Sequence, residues 1–124
     1  MGRAVIGIDI GGTTVRAVTV EVGTTSVMAR EMVPSSDDGP TLVDRLAHLV
    51  TRLGEQTGRE VASVGLGVAG LAHRSGIVHY SPNLPGLAGF PIGQELQEGL
   101  CVPIVVGNDA TAGTFAEWRL GAGR

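Results

Sequence analysis

The sequence predicts one α/β domain built on a mixed sheet with helices on its faces. Three observations favour this class: three consecutive segments rich in β-branched residues, one long amphipathic segment after them, and apolar runs that alternate with helical spacing further on. The chain has 124 residues. This length suits a single domain that buries roughly two-thirds of its unfolded surface. We therefore expect one hydrophobic core.

The first third of the chain predicts an antiparallel meander of three strands. Segments 4–8, 15–22 and 26–33 are rich in β-branched residues and are separated by glycine or Gly-Thr-Thr turns. A polar loop begins at Pro34 and contains two acids that can cap a helix, Asp37 and Asp38. A helix should therefore follow directly.

The segment after this loop predicts an amphipathic helix. Its apolar side chains recur at helical spacing and stop near Gly54 or Gly58. The further elements that we expect are a strand over 61–68, a short strand over 76–80, a short helix over 92–100, a buried strand over 102–106 and a helix over 108–120. Alternating helices and strands after a meander predict a sheet that contains both parallel and antiparallel pairs.

Composition narrows the classes of function. The net charge is −3 with only one Trp, one Tyr and two Phe, so we expect no nucleic-acid partner. No apolar run approaches the roughly 18 residues that span a bilayer, and Asp9 interrupts the apolar start that a signal peptide needs. Cys101 is the only cysteine and lies in an apolar stretch, which predicts a buried thiol and a cytoplasmic protein.

The turn after Asp9 has the composition of an anion site. Gly11, Gly12, Thr13 and Thr14 offer backbone N–H groups and two hydroxyls, and glycine lets a phosphate approach the backbone closely. Asp9 would repel a lone anion, so its presence favours a bridging cation such as hydrated magnesium. A plain hairpin turn between two strands explains the same residues equally well.

A second candidate site lies at Asn108 and Asp109, which end an apolar strand and begin a helix. Asp109 would project from the carboxyl end of the sheet, where ligands of open α/β folds collect, and it can accept a hydroxyl proton. A helix N-cap is the simpler explanation of this pair. Asn83 offers an amide in a turn and can bind a polyol, although turns commonly contain Asn.

Several well-known motifs are absent or lack their context. Residues 65–70 match GxGxxG, but no helix of sufficient length follows, as a dinucleotide-binding fingerprint requires. The chain contains no P-loop motif and no GxSxG elbow. Its three histidines lack metal-ligand spacing, and His48 is expected on the polar face of the helix. These features exclude P-loop and nucleophile-elbow chemistry from the leading hypotheses.

Taken together and in order, three stretches resemble the ROK family of sugar kinases and repressors. They are DIGGTT after the first strand, a glycine loop at 67–70 followed by SPNL, and NDA at the end of a strand followed by GAG. The match runs from about residue 4 to residue 124. The resemblance implies an actin-like ATPase, ribonuclease-H-like fold with a mixed five-stranded sheet and flanking helices. Residues 1–124 would form its N-terminal lobe.

The resemblance also implies an ATP-dependent kinase of a hexose or N-acetylhexosamine and a role for individual residues. The residues implied to contact ATP and its magnesium are Asp9, Gly11, Gly12, Thr13 and Thr14, with Asp9 directed toward the metal. The residues implied to bind the sugar are Gly70, Asn83, Asn108 and Asp109. Asp109 would also be the catalytic base that receives the proton of the sugar hydroxyl.

The sequence departs from the family pattern in charge and in length. Thr14 stands where many members have Lys, which predicts weaker nucleotide affinity unless another cation compensates. A ROK kinase continues past Arg124 into a second lobe with further nucleotide contacts and a zinc motif. We therefore expect the chain alone to phosphorylate sugar poorly, and its uncovered lobe face to favour homo-oligomers.

Two rival functions stay open. One is a sugar-sensing module of a ROK transcriptional regulator, but such regulators carry a helix-turn-helix domain before the first strand, and here a strand begins near residue 4. The other is a β/α domain without nucleotide function, in which the glycines merely turn the chain and Asp109 caps a helix.

Overall fold

The computed structural model describes residues 2–24, 26–68, 71–72, 78–80 and 85–107. Their elements, in chain order, are β1 (Arg3–Ile10), β2 (Thr14–Glu21), β3 (Val27–Pro34), α1 (Gly39–Thr57), β4 (Glu60–Val68), β5 (Leu71–Ala72), β6 (Val78–Tyr80), a single 3-10 turn (Pro85–Leu87), α2 (Ile92–Leu100) and β7 (Ile104–Gly107). The helix expected over 108–120 lies outside the described residues.

Five of the strands form one mixed sheet in the order β3-β2-β1-β4-β7. The first three strands pair antiparallel, whereas β4 is parallel to β1 and β7 is parallel to β4. This arrangement confirms the predicted meander and the mixed five-stranded sheet. It also brings the carboxyl ends of β1, β4 and β7 to the same edge.

The hydrophobic core lies between one face of the sheet and the two helices. Ile6, Ile8 and Ile10 alternate along β1 and are fully buried. The helical side of this core consists of Leu42, Leu46, Leu49, Val50 and Leu53 of α1 with Ile92 and Leu96 of α2. Because alternate strand residues point to opposite faces, the residues between these isoleucines lie on the second face of the sheet.

The ends of α1 are set by local sequence, as predicted. Asp38 is the N-cap, and its carboxylate accepts hydrogen bonds from the Thr41 hydroxyl at 2.5 Å and the Thr41 N–H at 3.0 Å. These two bonds lower the pKa of Asp38, and the bond from the Thr41 hydroxyl has the larger effect. The helix stops at Gly58, whose φ of 65° is left-handed. No helix in the described part of the chain is long and apolar enough to cross a membrane.

Three expectations about individual elements need correction. Cys101 is exposed, because it ends α2 with a left-handed φ of 58° and lies beyond the apolar stripe of that helix. The strand β7 is only half-buried, since within the described residues it pairs with β4 alone. The short strand expected over 76–80 is described over Val78–Tyr80, and it pairs with β5, a strand that the sequence did not predict.

Candidate functional site

The pairing register aligns Asp9 with Gly107, the last described residue before the second candidate segment. Asp9 on β1 stands opposite Arg16 on β2 and Gly67 on β4, and Gly67 stands opposite Gly107 on β7. Because neighbouring strands are about 4.8 Å apart, the backbones at Asp9 and Gly107 are separated by roughly 10 Å. Gly107 immediately precedes Asn108 in the chain. The register thus brings the end of β7 to the same sheet edge as Asp9.

Asp9 belongs to the second face of the sheet, away from the core. Its side chain is exposed, whereas both neighbours in the strand, Ile8 and Ile10, are fully buried. The adjacent position on β4 is a glycine, Gly67, and so is the position two residues before it, Gly65. Since a glycine adds no side chain, the space beside Asp9 on the β4 side is open, and Asp9 and Arg16 are the charged pair at this register position.

The turn after β1 is a tight connection that keeps two amides available. The Gly11 N–H donates to the Thr14 carbonyl at 3.0 Å. Among the described residues, no acceptor receives the N–H of Gly12 or Thr13, and both residues are exposed. Amides without an internal acceptor, beside two hydroxyls, are a set of donors that suits a phosphate. The turn is therefore both a hairpin connection and a possible anion site.

The reason for glycine at position 11 is space rather than backbone handedness. Neither Gly11 nor Gly12 is among the glycines with positive φ. A Cβ on Gly11 would lie 3.0 Å from the Thr14 carbonyl oxygen, which is a close contact. The same turn is held from outside, because the Ser35 N–H donates to the Thr13 carbonyl at 2.9 Å.

The residues expected to bind the sugar, Gly70, Asn83, Asn108 and Asp109, lie outside the described residues, so their roles stay predictions. The structure does describe residues 85–107, which follow Asn83 in the chain. Gly86, three residues after Asn83, donates its N–H to the Asp37 Oδ1 atom at 2.7 Å. Gly86 is thus attached to the loop before α1.

The residues near the turn fit a magnesium that is held mainly by phosphates and water. Within the described ranges no group of three or more His, Cys, Asp or Glu is placed to hold a metal. Magnesium bound with a nucleotide needs only one or two carboxylates, since phosphate oxygens and waters fill the other positions. Asp9, exposed at the end of its strand, offers one such carboxylate.

Arg16 is a charged neighbour of this site that the sequence interpretation did not identify. Arg16 lies directly opposite Asp9 and two residues after Thr14. Thr14 is the position where the family that the sequence resembles often has a lysine. Counting residues outward from the hairpin turn would have found this pair, because antiparallel register follows from the turn. The structure therefore places a cation beside the candidate phosphate turn.

The sequence of this chain is similar to a known protein family and to individual sugar kinases. The model of the ROK family matches residues 5–124. A glucokinase of Streptomyces coelicolor is 33% identical over 121 residues, which cover 96% of this chain and 37% of that protein. An N-acetyl-D-glucosamine kinase of Vibrio cholerae is 29% identical over 111 residues, covering 90% of this chain and 36% of that protein.

A solved structure agrees with the fold as well. The crystal structure of a ROK family glucokinase from Streptomyces griseus in complex with glucose and AMPPNP has a TM-score of 0.79 and 30% identity, and it covers 98% of this chain and 38% of that one. The similarity confirms the actin-like ATPase fold. The chain spans about 37% of the length of the glucokinase from Streptomyces coelicolor.

Proposed function

Because the chain belongs to the ROK family, we propose that residues 1–124 form the N-terminal lobe of an ATP-dependent kinase that phosphorylates a hydroxyl of a hexose or an N-acetylhexosamine. The observation that carries the proposal is the shared sheet edge. There the register aligns Asp9 with Gly107, the residue that precedes Asn108 and Asp109. The relatives named glucokinase and N-acetyl-D-glucosamine kinase support this class of acceptor.

In this proposal the turn after β1 binds the phosphates of ATP. The exposed amides of Gly12 and Thr13 and the two threonine hydroxyls donate hydrogen bonds to phosphate oxygens. Asp9 orients the magnesium through its water ligands, and that ion, when bound, neutralises charge on the phosphates. Arg16 supplies part of the positive charge that Thr14 lacks.

The sugar half of the site supplies the nucleophile and removes its proton. Asn83, Asn108 and Gly70 bind and shape the pocket for the sugar, as the family resemblance implies. The acceptor oxygen attacks the γ-phosphorus while the bond to the bridging oxygen of ADP breaks, and the hydroxyl proton passes to the Asp109 carboxylate. An acid of ordinary basicity suffices, because the proton leaves late in a loose transition state.

The remaining nucleotide contacts would come from a second lobe. The coverage of about 37% of a glucokinase supports this part of the proposal. With only one lobe, the isolated chain would hold half of a cleft, so we expect little transfer from it and association into homo-oligomers through the uncovered face. We also propose a cytoplasmic location, where ATP and sugar are available. Light scattering of the complete protein and of the isolated chain tests the oligomeric state.

The decisive experiment is a kinase assay of the complete protein to which these residues belong. With ATP and magnesium, we expect transfer to glucose or to an N-acetylhexosamine within a panel of sugars. Asp109→Asn should lower kcat by about 10²- to 10⁴-fold, because it removes the base and keeps the size of the side chain. Asp44→Asn is the matched control, since Asp44 is an exposed acid on α1 whose partner among the described residues is His48, at 3.7 Å.

Two results would contradict the proposal in different ways. Retained activity in Asp109→Asn would overturn the base assignment alone. Tight sugar binding without transfer to any sugar, in a protein that contains both lobes, would instead favour the sugar-sensing alternative.

A further inference from the structure

The loop between β3 and α1, residues 35–38, contacts the candidate phosphate turn and Gly86, which lies three residues after Asn83 in the chain. At one end the Ser35 N–H donates to the Thr13 carbonyl at 2.9 Å, within the candidate phosphate turn. Two residues later the Asp37 Oδ1 accepts the Gly86 N–H at 2.7 Å. We call these residues the β3–α1 connector. It links the phosphate turn and the segment that begins at Gly86 through one hydrogen bond at each end.

The connector is itself held by α1. Arg45 Nη1 donates to the carbonyls of Pro34 at 3.1 Å and Ser35 at 2.9 Å. At the other end Asp38 caps the helix through Thr41. Because α1 is anchored in the core by five buried side chains, the connector has a fixed position relative to the sheet. A backbone group that is hydrogen-bonded to the connector, such as the Gly86 N–H, is therefore also fixed relative to the sheet.

The attachment at Asp37 is a close docking contact as well as a hydrogen bond. A Cβ on Gly86 would lie 2.3 Å from the Asp37 carbonyl oxygen and 2.9 Å from its Cγ, so only glycine fits without a shift. A second contact lies nearby, where a Cβ on Gly39 would be 2.6 Å from the ring of Phe90. Residues 86–90 are thus seated against the start of α1 at two points.

We infer that Asp37 is a positioning residue, which holds Gly86 and so fixes, relative to the phosphate turn, the point from which the chain leads to the proposed sugar ligand Asn83. This inference rests on the proposed function. Phosphoryl transfer depends on the separation and alignment of acceptor and donor, and a displacement of about 1 Å can lower the rate about 100-fold. Asp37 touches neither substrate in this scheme; it acts by holding a backbone amide. The same connector holds the phosphate turn through the Ser35 N–H, and Arg45 holds the connector in turn.

The test compares two substitutions at opposite ends of the connector in the complete protein. Asp37→Ala removes the acceptor for Gly86, so we expect the KM for sugar to rise up to about tenfold, while the KM for ATP changes less than about twofold. Asp37→Asn keeps an oxygen acceptor and should restore most of the sugar affinity. Arg45→Ala should show the converse pattern, with a larger effect on the KM for ATP. Asp44→Ala on α1 is the control.

A merely structural role for Asp37 would produce a different result. It would alter both KM values together or neither, and Asp37→Asn would not rescue the sugar KM. Gly86→Ala gives an independent test, because it disturbs the same contact from the other side and should raise the sugar KM with little effect on ATP.

Hydrogen exchange separates this inference from the proposed function. In Asp37→Ala the Gly86 amide should exchange faster than in the wild type, whether or not any sugar is present. Unchanged exchange at Gly86 would overturn the positioning role alone. A wild-type protein that binds no sugar would overturn the proposed function, and the positioning role with it.

Discussion

The two faces of the central sheet differ in burial and in polarity near the end of β1. On one face, Ile6, Ile8 and Ile10 are fully buried against α1 and α2. On the other, the intervening position carries Asp9, opposite Arg16 and Gly67. The same strand therefore contributes to stability with one set of residues and to the candidate site with the next. Substitutions on the two faces should have separable effects.

The largest effect on stability is expected from the core face. Ile8→Ala removes a fully buried side chain and leaves a cavity, so the free energy of unfolding should fall by about 2–5 kcal/mol. Met32→Ala, on β3 and 61% exposed, should change it by less than about 0.5 kcal/mol. Thermal or denaturant unfolding of the complete protein measures both. Equal losses for the two variants would contradict the assignment of the faces.

The next effect concerns Asp9 and should appear in activity rather than in stability. Asp9→Asn keeps the size of the side chain and removes its charge, so the dependence of the rate on magnesium should weaken and activity should fall about 10- to 100-fold. The exposed side chain makes a loss of stability above about 0.5 kcal/mol unexpected. Magnesium titrations of the initial rate measure the change. An unaltered titration would show that the turn is only a hairpin.

A smaller effect is expected at Arg16, the exposed cation opposite Asp9. Arg16→Gln should raise the KM for ATP about two- to fivefold, which is the range of an exposed charge interaction. The difference should shrink as salt is added, because exposed charges are screened. Arg30→Gln is the matched control, since Arg30 is exposed on β3 one strand further away. Equal effects of the two variants would point to net charge instead of position.

The smallest effect is a pH dependence at Asp38, which begins the helix that covers the core face. Its hydrogen bonds with Thr41 lower its pKa in the folded state. The stabilisation is therefore complete above the unfolded pKa of about 3.9 and is lost as the pH falls through the lower folded value. Asp38→Asn still caps the helix but does not titrate, so its stability should lose less between pH 5 and pH 2. Identical acid profiles would contradict this.

Local patterns predicted most of the elements because their causes are local. β-branched runs predicted β1, β2 and β3, and helical spacing with Asp38 and Gly58 at its ends predicted α1. The prediction for Cys101 was wrong, because an apolar neighbourhood in sequence does not show that a residue ends a helix facing solvent. The prediction also missed β5, the partner of β6. A strand of two residues is too short to show the alternation of apolar and polar residues that identifies a strand.

The candidate site was only partly accessible from sequence. The glycine-threonine turn after Asp9 was identified from its residue types, and the ROK family was identified from three motifs in order. The contact between Asp37 and Gly86 joins residues 49 positions apart, and no local pattern indicates it. The need for glycine at position 86 comes from the nearby carbonyl of Asp37. In the sequence alone, Gly86 cannot be distinguished from an ordinary turn glycine.

The sequence by itself determined most of the described elements, their order and the family, because residue propensities, helix caps and motif order act over short stretches of chain. The tertiary structure alone decided which residues meet. Parallel pairing of β4 with β1 and of β7 with β4 aligned Asp9 with Gly107, and the packing of residues 86–90 on α1 joined Asp37 to Gly86. Strand register and long-range packing are set by the burial of the whole core, which no short segment encodes.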